Sequence, residues 1–500
     1  MYKTFLVASL TMYSCVSQLE SIDVSAKQEW VVESDPVRPK AESEYDAIIV
    51  GGGFGGLTSG ALLAKSGYKV LLLEQQSQVG GYCTSYVRKG FTFPVGAHDI
   101  SGCDQGGIGK LLSLLSLKKE DFFALHTRTY MFGDKKITFT GTNNDLVNQL
   151  SELFPKEKDH IAAFFAEARK ALSEEHAPSS PTQTTFAAWK QATYQQKLDE
   201  FFQNQELKKF LCSLIGYIGT KPEETVASDA LDTCFSYFLY GGYYPKQGGK
   251  LFADALKRVI ESHGGTVLLN THVDEILEFQ GHVVGVRARE NTFLSTIVIA
   301  NANAKTLFLN LVPQKALDPA FLDAIRNLKM SMSLAIVNLG VDMDLSVLSS
   351  IMKGQTGFFI SSNADPAAAP KGCASLSKGM HAQYAEVPPI DTPEYKEYKE
   401  KLAVQALSSL ETVIPGIRDH IIVKDVITPR TLERFTSMPE GALYSFDQSR
   451  GTKRPYFKTP IQGLYLASSS TLPGGGVEAV VFSGMICARD IIDHKKNITK

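Results

Sequence analysis

The chain has 500 residues, 44% of them hydrophobic and 21% charged, a globular composition that excludes a disordered, collagenous or coiled-coil chain. There are 51 basic and 53 acidic residues, for a formal net charge of −2, so the chain lacks the cationic excess of a nucleic-acid-binding surface. The seven cysteines are odd in number and contain no C-x-x-C pair, which argues against a disulfide framework and a zinc knuckle.

The N-terminus has the features of a targeting segment. Lys3 precedes an apolar stretch, Phe5–Val16, which is too short to span a bilayer and has the length of a signal-peptide core. We therefore predict a signal peptide or anchor over residues 1–17, with a lipoprotein signal at Cys15 or a disordered tail as alternatives. Residues 18–44 are polar and predict a linker. The expected location is the secretory pathway or a membrane, and otherwise the cytoplasmic face of a membrane.

Ordered structure is predicted to begin with a strand–turn–helix–strand unit. Ala47–Val50 is a short β-branched run typical of a buried parallel strand. It leads into a glycine-rich turn, Gly51–Gly56, with the pattern G-x-G-x-x-G, and a helix is predicted over Leu57–Lys65. A second strand, Lys69–Leu73, ends at Glu74, 23 residues after the turn begins.

Each position in this unit has a physical role in binding a dinucleotide. Gly51 allows the tight turn from strand to helix, Gly53 leaves room for a pyrophosphate at the backbone, and Gly56 lets the helix lie close to the strand. The phosphates then meet the free N–H groups at the start of the helix. Glu74 accepts hydrogen bonds from ribose hydroxyls and would repel a 2′-phosphate, so NADP is disfavoured. A glycine-rich turn in an unrelated α/β protein is the alternative.

Further glycine motifs follow this unit. The pair Gly80–Gly81 comes soon after the second strand, and the segment Gly90–Gly96 reads G-F-T-F-P-V-G. Near the C-terminus a strand, Gly463–Ala467, precedes a glycine-rich turn, Gly474–Gly476, and a helix is predicted from about Val477. This second helix start can also face an anion or the polar edge of a cofactor.

In these motifs, and in Tyr244–Gly249 and Thr428–Phe435, the chain resembles the phytoene desaturase, carotenoid isomerase and retinol saturase group of FAD-dependent oxidoreductases. This group belongs to the amine-oxidase-like flavoprotein superfamily, and the resemblance covers about Tyr45 to Ile492. It implies an α/β fold in which a discontinuous Rossmann-type FAD-binding domain carries an inserted α+β substrate-binding domain. The implied segments are 45–100, 245–304 and 429–492 for FAD binding, 101–244 and 305–428 for the substrate, and 493–500 for a tail.

The resemblance implies FAD as the cofactor, bound non-covalently because no cysteine lies in or just before the C-terminal glycine-rich turn. In the family, a valine offers its backbone to the adenine, and Val273 stands at that position. The implied cofactor-binding residues are Gly51, Gly53, Phe54, Gly55, Gly56, Glu74, Gln75, Gly80, Gly81, Tyr82, Val273, Ser469, Gly475 and Val477. Other predicted elements are the helices His160–Leu172, Leu251–His263 and Tyr395–Leu410 and the strands Thr266–Asn270, Val283–Arg289 and Ser295–Ala300.

The substrate side has weaker signals. Six aromatic residues within ten positions could form a flat wall for a conjugated or isoprenoid chain, or an ordinary core strand: Phe235, Tyr237, Phe238, Tyr240, Tyr243 and Tyr244. His98 lies where the family's chain passes under the flavin, so it is either a catalytic proton donor or a structural residue. Asp99 could orient the His98 ring. Gly109–Lys119 is apolar with basic ends and predicts either an interfacial helix that admits substrate from a bilayer or a buried helix.

The resulting expectation is an oxidoreductase that desaturates, saturates or isomerises carbon–carbon double bonds of a lipophilic polyene such as a carotenoid or retinoid. Its partners would be this small molecule, an electron donor or acceptor of unspecified identity and a membrane surface, with no nucleic acid and no metal. One alternative is an amine-oxidase-like flavoenzyme that acts on a small amine. The other is a non-enzymatic escort protein of the same fold that binds prenyl chains without FAD.

Overall fold

The computed structural model describes residues 45–498 except 105, 133–134, 141–144, 176–183, 232, 234–236, 238–240 and 353–356. The predicted signal segment 1–17 and linker 18–44 lie outside the described residues, as do Phe235, Phe238 and Tyr240 of the aromatic set.

The strands are β1 Ala47–Val50, β2 Val70–Leu73, β3 Ser85–Arg88, β4 Phe91–Pro94, β5 Phe123–Leu125, β6 Thr127–Phe132, β7 Lys135–Thr140, β8 Tyr243–Pro245, β9 Thr266–Leu268, β10 Glu275–Phe279, β11 His282–Ala288, β12 Asn291–Leu294, β13 Val298–Ala300, β14 Leu334–Val341, β15 Ser350–Met352, β16 Phe359–Ile360, β17 Ala374–His381, β18 Ile421–Ile427 and β19 Leu464–Leu466.

The helices are α1 Phe54–Lys65, α2 Gly107–Leu115, α3 Lys119–Phe122, α4 Asp145–Leu153, α5 Lys158–Glu175, α6 Thr184–Gln191, α7 Tyr194–Phe201, α8 Gln205–Leu214, α9 Ala227–Ala230, α10 Lys250–Ser262, α11 Ala304–Thr306, α12 Pro319–Asn327, α13 Ser361–Ala364, α14 Pro393–Glu411, α15 Pro429–Thr436 and α16 Val477–Ile498.

A parallel sheet in the order β19–β13–β1–β2–β9 collects strands from distant parts of the chain. Side chains along each strand point alternately into two cores, because successive residues of a β-strand face opposite sides of the sheet. Ile49 and Leu72 face a core shared with α1, α10 and α16, whereas Ile48 and Leu71 face the antiparallel sheet β10–β11–β12 and its neighbours. Both faces of the sheet are therefore buried, and the predicted α/β fold is confirmed.

The boundaries of two predicted elements are wrong. The expected strand Ser295–Ala300 is interrupted, because β12 ends at Leu294 and β13 begins at Val298. The Ser295 hydroxyl causes the break by donating to the Asp46 carbonyl and accepting from the Ile297 N–H, both at 3.1 Å. The C-terminal helix starts at Val477 as predicted but continues to Ile498, through most of the expected tail.

The inserted part of the chain forms a separate set of layers. An antiparallel sheet in the order β16–β17–β14–β18 packs against α14. Helices α4 to α9 share an aromatic core that includes Phe164, Trp189 and Phe202. Residues of both groups line the cavity described below.

Helix α2 corresponds to the predicted apolar segment Gly109–Lys119. Its apolar residues Ile108, Leu111 and Leu112 are buried in the core that contains α16, which favours the buried-helix interpretation. Within the described part of the chain, no helix combines the length and apolar character that crossing a membrane requires.

Candidate cofactor and substrate site

One cavity of about 2440 Å³ runs from the glycine-rich turn after β1 to the helices of the inserted part. Pockets for a single drug-sized ligand occupy roughly 300–1,000 Å³. The cavity can therefore hold a dinucleotide together with a second, elongated ligand.

The glycine-rich turn opens into this cavity. Gly51 has φ +98°, and Gly53 is the N-cap of α1 without a side-chain cap. The first N–H groups of α1 therefore remain available to an anion. Gly81 lies beside Gly53, because an added Cβ on Gly81 would be in van der Waals contact with the Gly53 Cα, at 3.5 Å. The two glycines therefore present adjacent stretches of bare backbone to the cavity.

Gly53 has a second constraint that its sequence motif does not reveal. A Cβ at this position would lie 2.5 Å from Oδ1 of Asn301, the residue that follows β13. The Asn301 amide is itself fixed, since its Nδ2 donates to the Ala467 carbonyl at 2.6 Å. Gly53 is thus required for packing as well as for access to the cavity.

Glu74 is buried at the end of β2 with 7% of its surface exposed, and it lines the cavity. Its two oxygens accept hydrogen bonds from the backbone N–H groups of Gly52, at 2.6 Å, and Gln76, at 2.7 Å. Desolvation raises the pKa of Glu74, and these backbone donors oppose the increase. A carboxylate can accept about four hydrogen bonds, so it retains capacity for ribose hydroxyls.

Beside Glu74, Gln75 connects two segments that are distant in sequence. Gln75 Nε2 donates to Ser437 Oγ at 2.9 Å, and Gln75 Oε1 lies 3.1 Å from Nδ1 of His272. The neighbouring Val273 is buried and lines the same end of the cavity.

The opposite wall is the segment that leads into α16. Ser469, Gly475 and Val477 all line the cavity. Arg454, a buried residue, donates from Nη1 to the Ser469 carbonyl at 2.8 Å. Sequence patterns gave no indication of Arg454, because only tertiary folding places it behind this segment.

Most of the predicted cofactor-binding residues meet at the cavity: Gly51, Gly53, Phe54, Glu74, Gln75, Gly80, Gly81, Tyr82, Val273, Ser469, Gly475 and Val477. Gly55 and Gly56 differ, because a Cβ on either would collide with protein backbone, at Ala467 and Gly51 respectively. These two glycines allow α1 to pack closely.

His98 also lines the cavity. Its Nδ1 lies 3.1 Å from the Gly96 carbonyl, and its ring centroid lies 5.0 Å from that of Phe359. Desolvation lowers the pKa of His98 below its ordinary value, although the charge of Asp99 opposes the change. The imidazole is therefore mostly neutral at pH 7.

Both oxygens of Asp99 have partners, and whether Asp99 orients the His98 ring stays a prediction. His126 Nε2 lies 3.0 Å from Asp99 Oδ1, and Arg128 Nη1 donates to Oδ2 at 3.1 Å. The Tyr237 hydroxyl donates to the Asp99 carbonyl at 3.1 Å. A buried cluster thus fixes the segment that carries His98.

The described members of the predicted aromatic wall have separate environments. Tyr237 lines the cavity, Tyr244 stacks on Phe359 with centroids 5.3 Å apart, and the Tyr243 hydroxyl donates to Asp104. Phe359, which the sequence did not single out, is the ring that lies between His98 and Tyr244.

Comparisons with known proteins agree with this geometry. The sequence model of the family described as flavin containing amine oxidoreductase matches residues 54–492. The chain is 27% identical to the chloroplastic prolycopene isomerase of Daucus carota, over 90% of this chain and 80% of that protein. It is 25% identical to the 4,4′-diaponeurosporene oxygenase of Staphylococcus aureus, over 89% and 97% of the two chains.

Among solved structures, an oxidoreductase from Methanosarcina mazei has a similar fold. It superposes with a TM-score of 0.66 at 22% identity, and the match covers 89% of this chain and 99% of that one.

Proposed function

Because the chain belongs to the flavin-containing amine oxidoreductase family, we propose that it is an FAD-dependent oxidoreductase acting on carbon–carbon double bonds of a lipophilic polyene. Membership of this family makes it a flavin-dependent oxidoreductase. The observation that supports the finer proposal is the continuous cavity, which joins a dinucleotide site to an apolar region in the inserted part.

The first part of the cavity has the donor set that FAD requires. Gly53 and Gly81 present bare backbone, and the uncapped start of α1 supplies N–H groups for the diphosphate. Glu74 would accept hydrogen bonds from the adenosine ribose, and Val273 and Gln75, which line the same cavity, would contact the adenine end.

FAD is proposed to bind without a covalent link. Among the described cysteines, Cys83 lines the cavity, and burial raises the pKa of its thiol to about 12. A protonated thiol is a poor nucleophile.

The second part of the cavity suits an elongated apolar ligand. Its lining includes Leu172, Phe186, Leu214, Ile218, Ile336 and Phe359. Binding of an apolar ligand against such aliphatic and aromatic walls is favourable, because it removes apolar surface of both from water. The names of the two relatives from D. carota and S. aureus give carotenoid-type substrates, which is consistent with this lining.

When bound, the flavin supplies two-electron hydride exchange with carbon. The protein must exclude water, align the polyene and handle the accompanying proton. Tyr237 and Phe359 line the cavity, and Phe359 stacks on Tyr244. These rings would serve the first two tasks. We propose that His98 faces the reacting region as a neutral imidazole.

The test is anaerobic mixing of purified holoenzyme with a panel of polyenes, with flavin absorbance as the readout. We expect a long polyene such as lycopene or prolycopene to perturb or change the flavin spectrum and to be isomerised, saturated or desaturated. Putrescine serves as the amine control and should leave the spectrum unchanged. Flavin reduction by amines alone would contradict the proposal and support the amine-oxidase alternative.

A further inference from the structure

Six carboxyl groups line the cavity, and the described residues hold five of them in place. The five and their partners are Glu74 with the Gly52 N–H, Asp99 with Arg128, Asp425 with the Val426 N–H, Asp447 with Ser449, and Glu478 with the Gly107 N–H. These hydrogen bonds hold the five groups in place, and Glu74 among them keeps capacity for ribose hydroxyls.

Asp229 is the sixth carboxyl group. Its side chain is accessible, whereas its neighbours Ala227, Ser228 and Ala230 in α9 are buried. Because Asp229 lines the cavity, its accessible surface faces the cavity interior. Within the described chain its hydrogen bond is a long one, 3.4 Å from the Ser228 hydroxyl. The carboxyl group is thus free to engage a ligand.

Arg454 interacts both with Asp229 and with the segment on the cofactor side of the cavity. The guanidinium of Arg454 binds the Ser469 carbonyl, and a Cβ on Gly474 would lie 3.5 Å from its Nε. Arg454 and Asp229 also interact electrostatically. Asp229 therefore faces the cavity close to the segment assigned to the flavin, on the side of the inserted helices.

The side chain of Asp229 is accessible from the cavity, but the protein around it desolvates the carboxyl group and shifts its titration towards neutral pH. Desolvation raises the pKa of Asp229 to about 6, and the Ser228 hydroxyl and the charges of Arg454 and Lys190 oppose that rise. A group that titrates near the working pH is best suited to give and take protons. His98 has the opposite tendency, because its pKa is lowered.

We propose that Asp229 exchanges the proton that accompanies hydride transfer between the polyene and the flavin. The inference rests on the proposed function. In desaturation, a hydride leaves one substrate carbon for the flavin and a proton leaves the adjacent carbon for the Asp229 carboxylate. The electron pair of the second C–H bond becomes the new π bond, so the polyene loses two electrons and the flavin gains two. Saturation is the reverse, with Asp229 as the acid.

The first test measures protonation of Asp229 without turnover. Infrared difference spectra between wild-type and Asp229→Asn holoenzyme isolate the carboxyl band over a pH series. Without ligand, we expect the band of the protonated carboxyl group to disappear near pH 6. With lycopene added in detergent micelles, the band should disappear at a higher pH, because an apolar ligand desolvates the group further. Titration near the ordinary value for aspartate, or no response to lycopene, would overturn the proposal.

The second test follows the transferred atom. Holoenzyme reduced with dithionite is mixed anaerobically with lycopene in D₂O, and deuterium at carbon is measured by mass spectrometry. Asp229→Asn should lower incorporation by about a hundredfold or more, the usual scale of a general acid, and Asp229→Glu should restore part of it. Asp159→Asn is the matched control, because Asp159 is an exposed residue of α5 that does not line the cavity, and it should incorporate deuterium at a rate near that of the wild type.

The outcomes separate this inference from the proposed function. Undiminished incorporation in Asp229→Asn that still carries FAD would remove Asp229 from the mechanism and leave the polyene reaction intact. If lycopene neither binds to the wild type nor reoxidises its flavin, the proposed function fails, and the infrared titration without ligand still reports on Asp229.

Discussion

Arg128 donates a hydrogen bond to Asp99 at 3.1 Å, and both side chains are 1% exposed. Removing two charges from water costs several kcal/mol each, and only close pairing offsets this cost. Arg128 and His126 hold the pKa of Asp99 below its ordinary value in spite of burial. The pair fixes the segment that leads from the Gly80–Gly81 turn to the cavity wall.

We expect Arg128→Met to destabilise the protein by about 3–5 kcal/mol, because it leaves the Asp99 carboxylate buried without its cation. Chemical denaturation at neutral pH measures the change. Arg326→Met removes an exposed pair with Asp323 and should cost at most about 1 kcal/mol. The double variant Asp99→Asn/Arg128→Met should recover part of the loss, and equal stability of Arg128→Met and wild type would contradict the assignment.

Gly81→Leu should abolish FAD binding, because the new side chain would start in contact with Gly53 and extend into the cavity where the diphosphate is proposed to lie. Gly67→Leu is a matched control: Gly67 also has positive φ, no atom lies near its added Cβ, and it does not line the cavity. Both variants carry similar backbone strain. The flavin-to-protein absorbance ratio after purification distinguishes them, and FAD retained by Gly81→Leu would place the cofactor elsewhere.

Acid precipitation should release all of the flavin into the supernatant. The reason is that burial keeps the Cys83 thiol protonated, with a pKa of about 12, so it does not attack a flavin methyl group. Chromatography of the supernatant identifies FAD. A fluorescent protein band on a denaturing gel would show a covalent link and would refute this expectation.

His98→Gln should retain FAD and lower turnover less than Asp229→Asn does. Desolvation keeps the His98 ring neutral at pH 7, and a neutral ring that donates from Nδ1 to Gly96 has an acceptor, not a donor, at Nε2. The pH dependence of turnover should show a group near pH 6 in wild type and in His98→Gln. Its loss in His98→Gln alone would identify His98 as the proton donor.

Asp229→Asn should raise the melting temperature above about pH 7 and have little effect near pH 4. The folded-state pKa of Asp229, about 6, exceeds the ordinary 3.8, so the folded chain holds this proton more tightly than the unfolded chain. The associated stability is present below the ordinary pKa and is lost as pH rises through about 6. Scanning calorimetry across this range tests the sign, and a uniform difference at every pH would contradict it.

The local units of this fold could be read from the sequence. The run Ala47–Val50, the turn after it and the acid at Glu74 follow each other in the chain, so short-range rules predict their conformation. The structure has β1 at Ala47–Val50, and its C-terminal helix begins at Val477, as predicted. Only the second half of the predicted strand Ser295–Ala300 is present, as β13. In the first half the Ser295 side chain bonds to backbone groups, an effect that hydrophobic patterns do not record.

The sequence by itself therefore determined the dinucleotide-binding motifs, because each consists of neighbours whose backbone geometry depends on their own residue types. Only the tertiary structure decided which carboxyl groups are paired with buried cations and which remain accessible in the cavity. Asp99 is neutralised by Arg128, 29 positions later, whereas Asp229 shares a cavity wall with Arg454, far along the chain. Burial and electrostatic pairing depend on distances in space, and a one-dimensional pattern does not contain those distances.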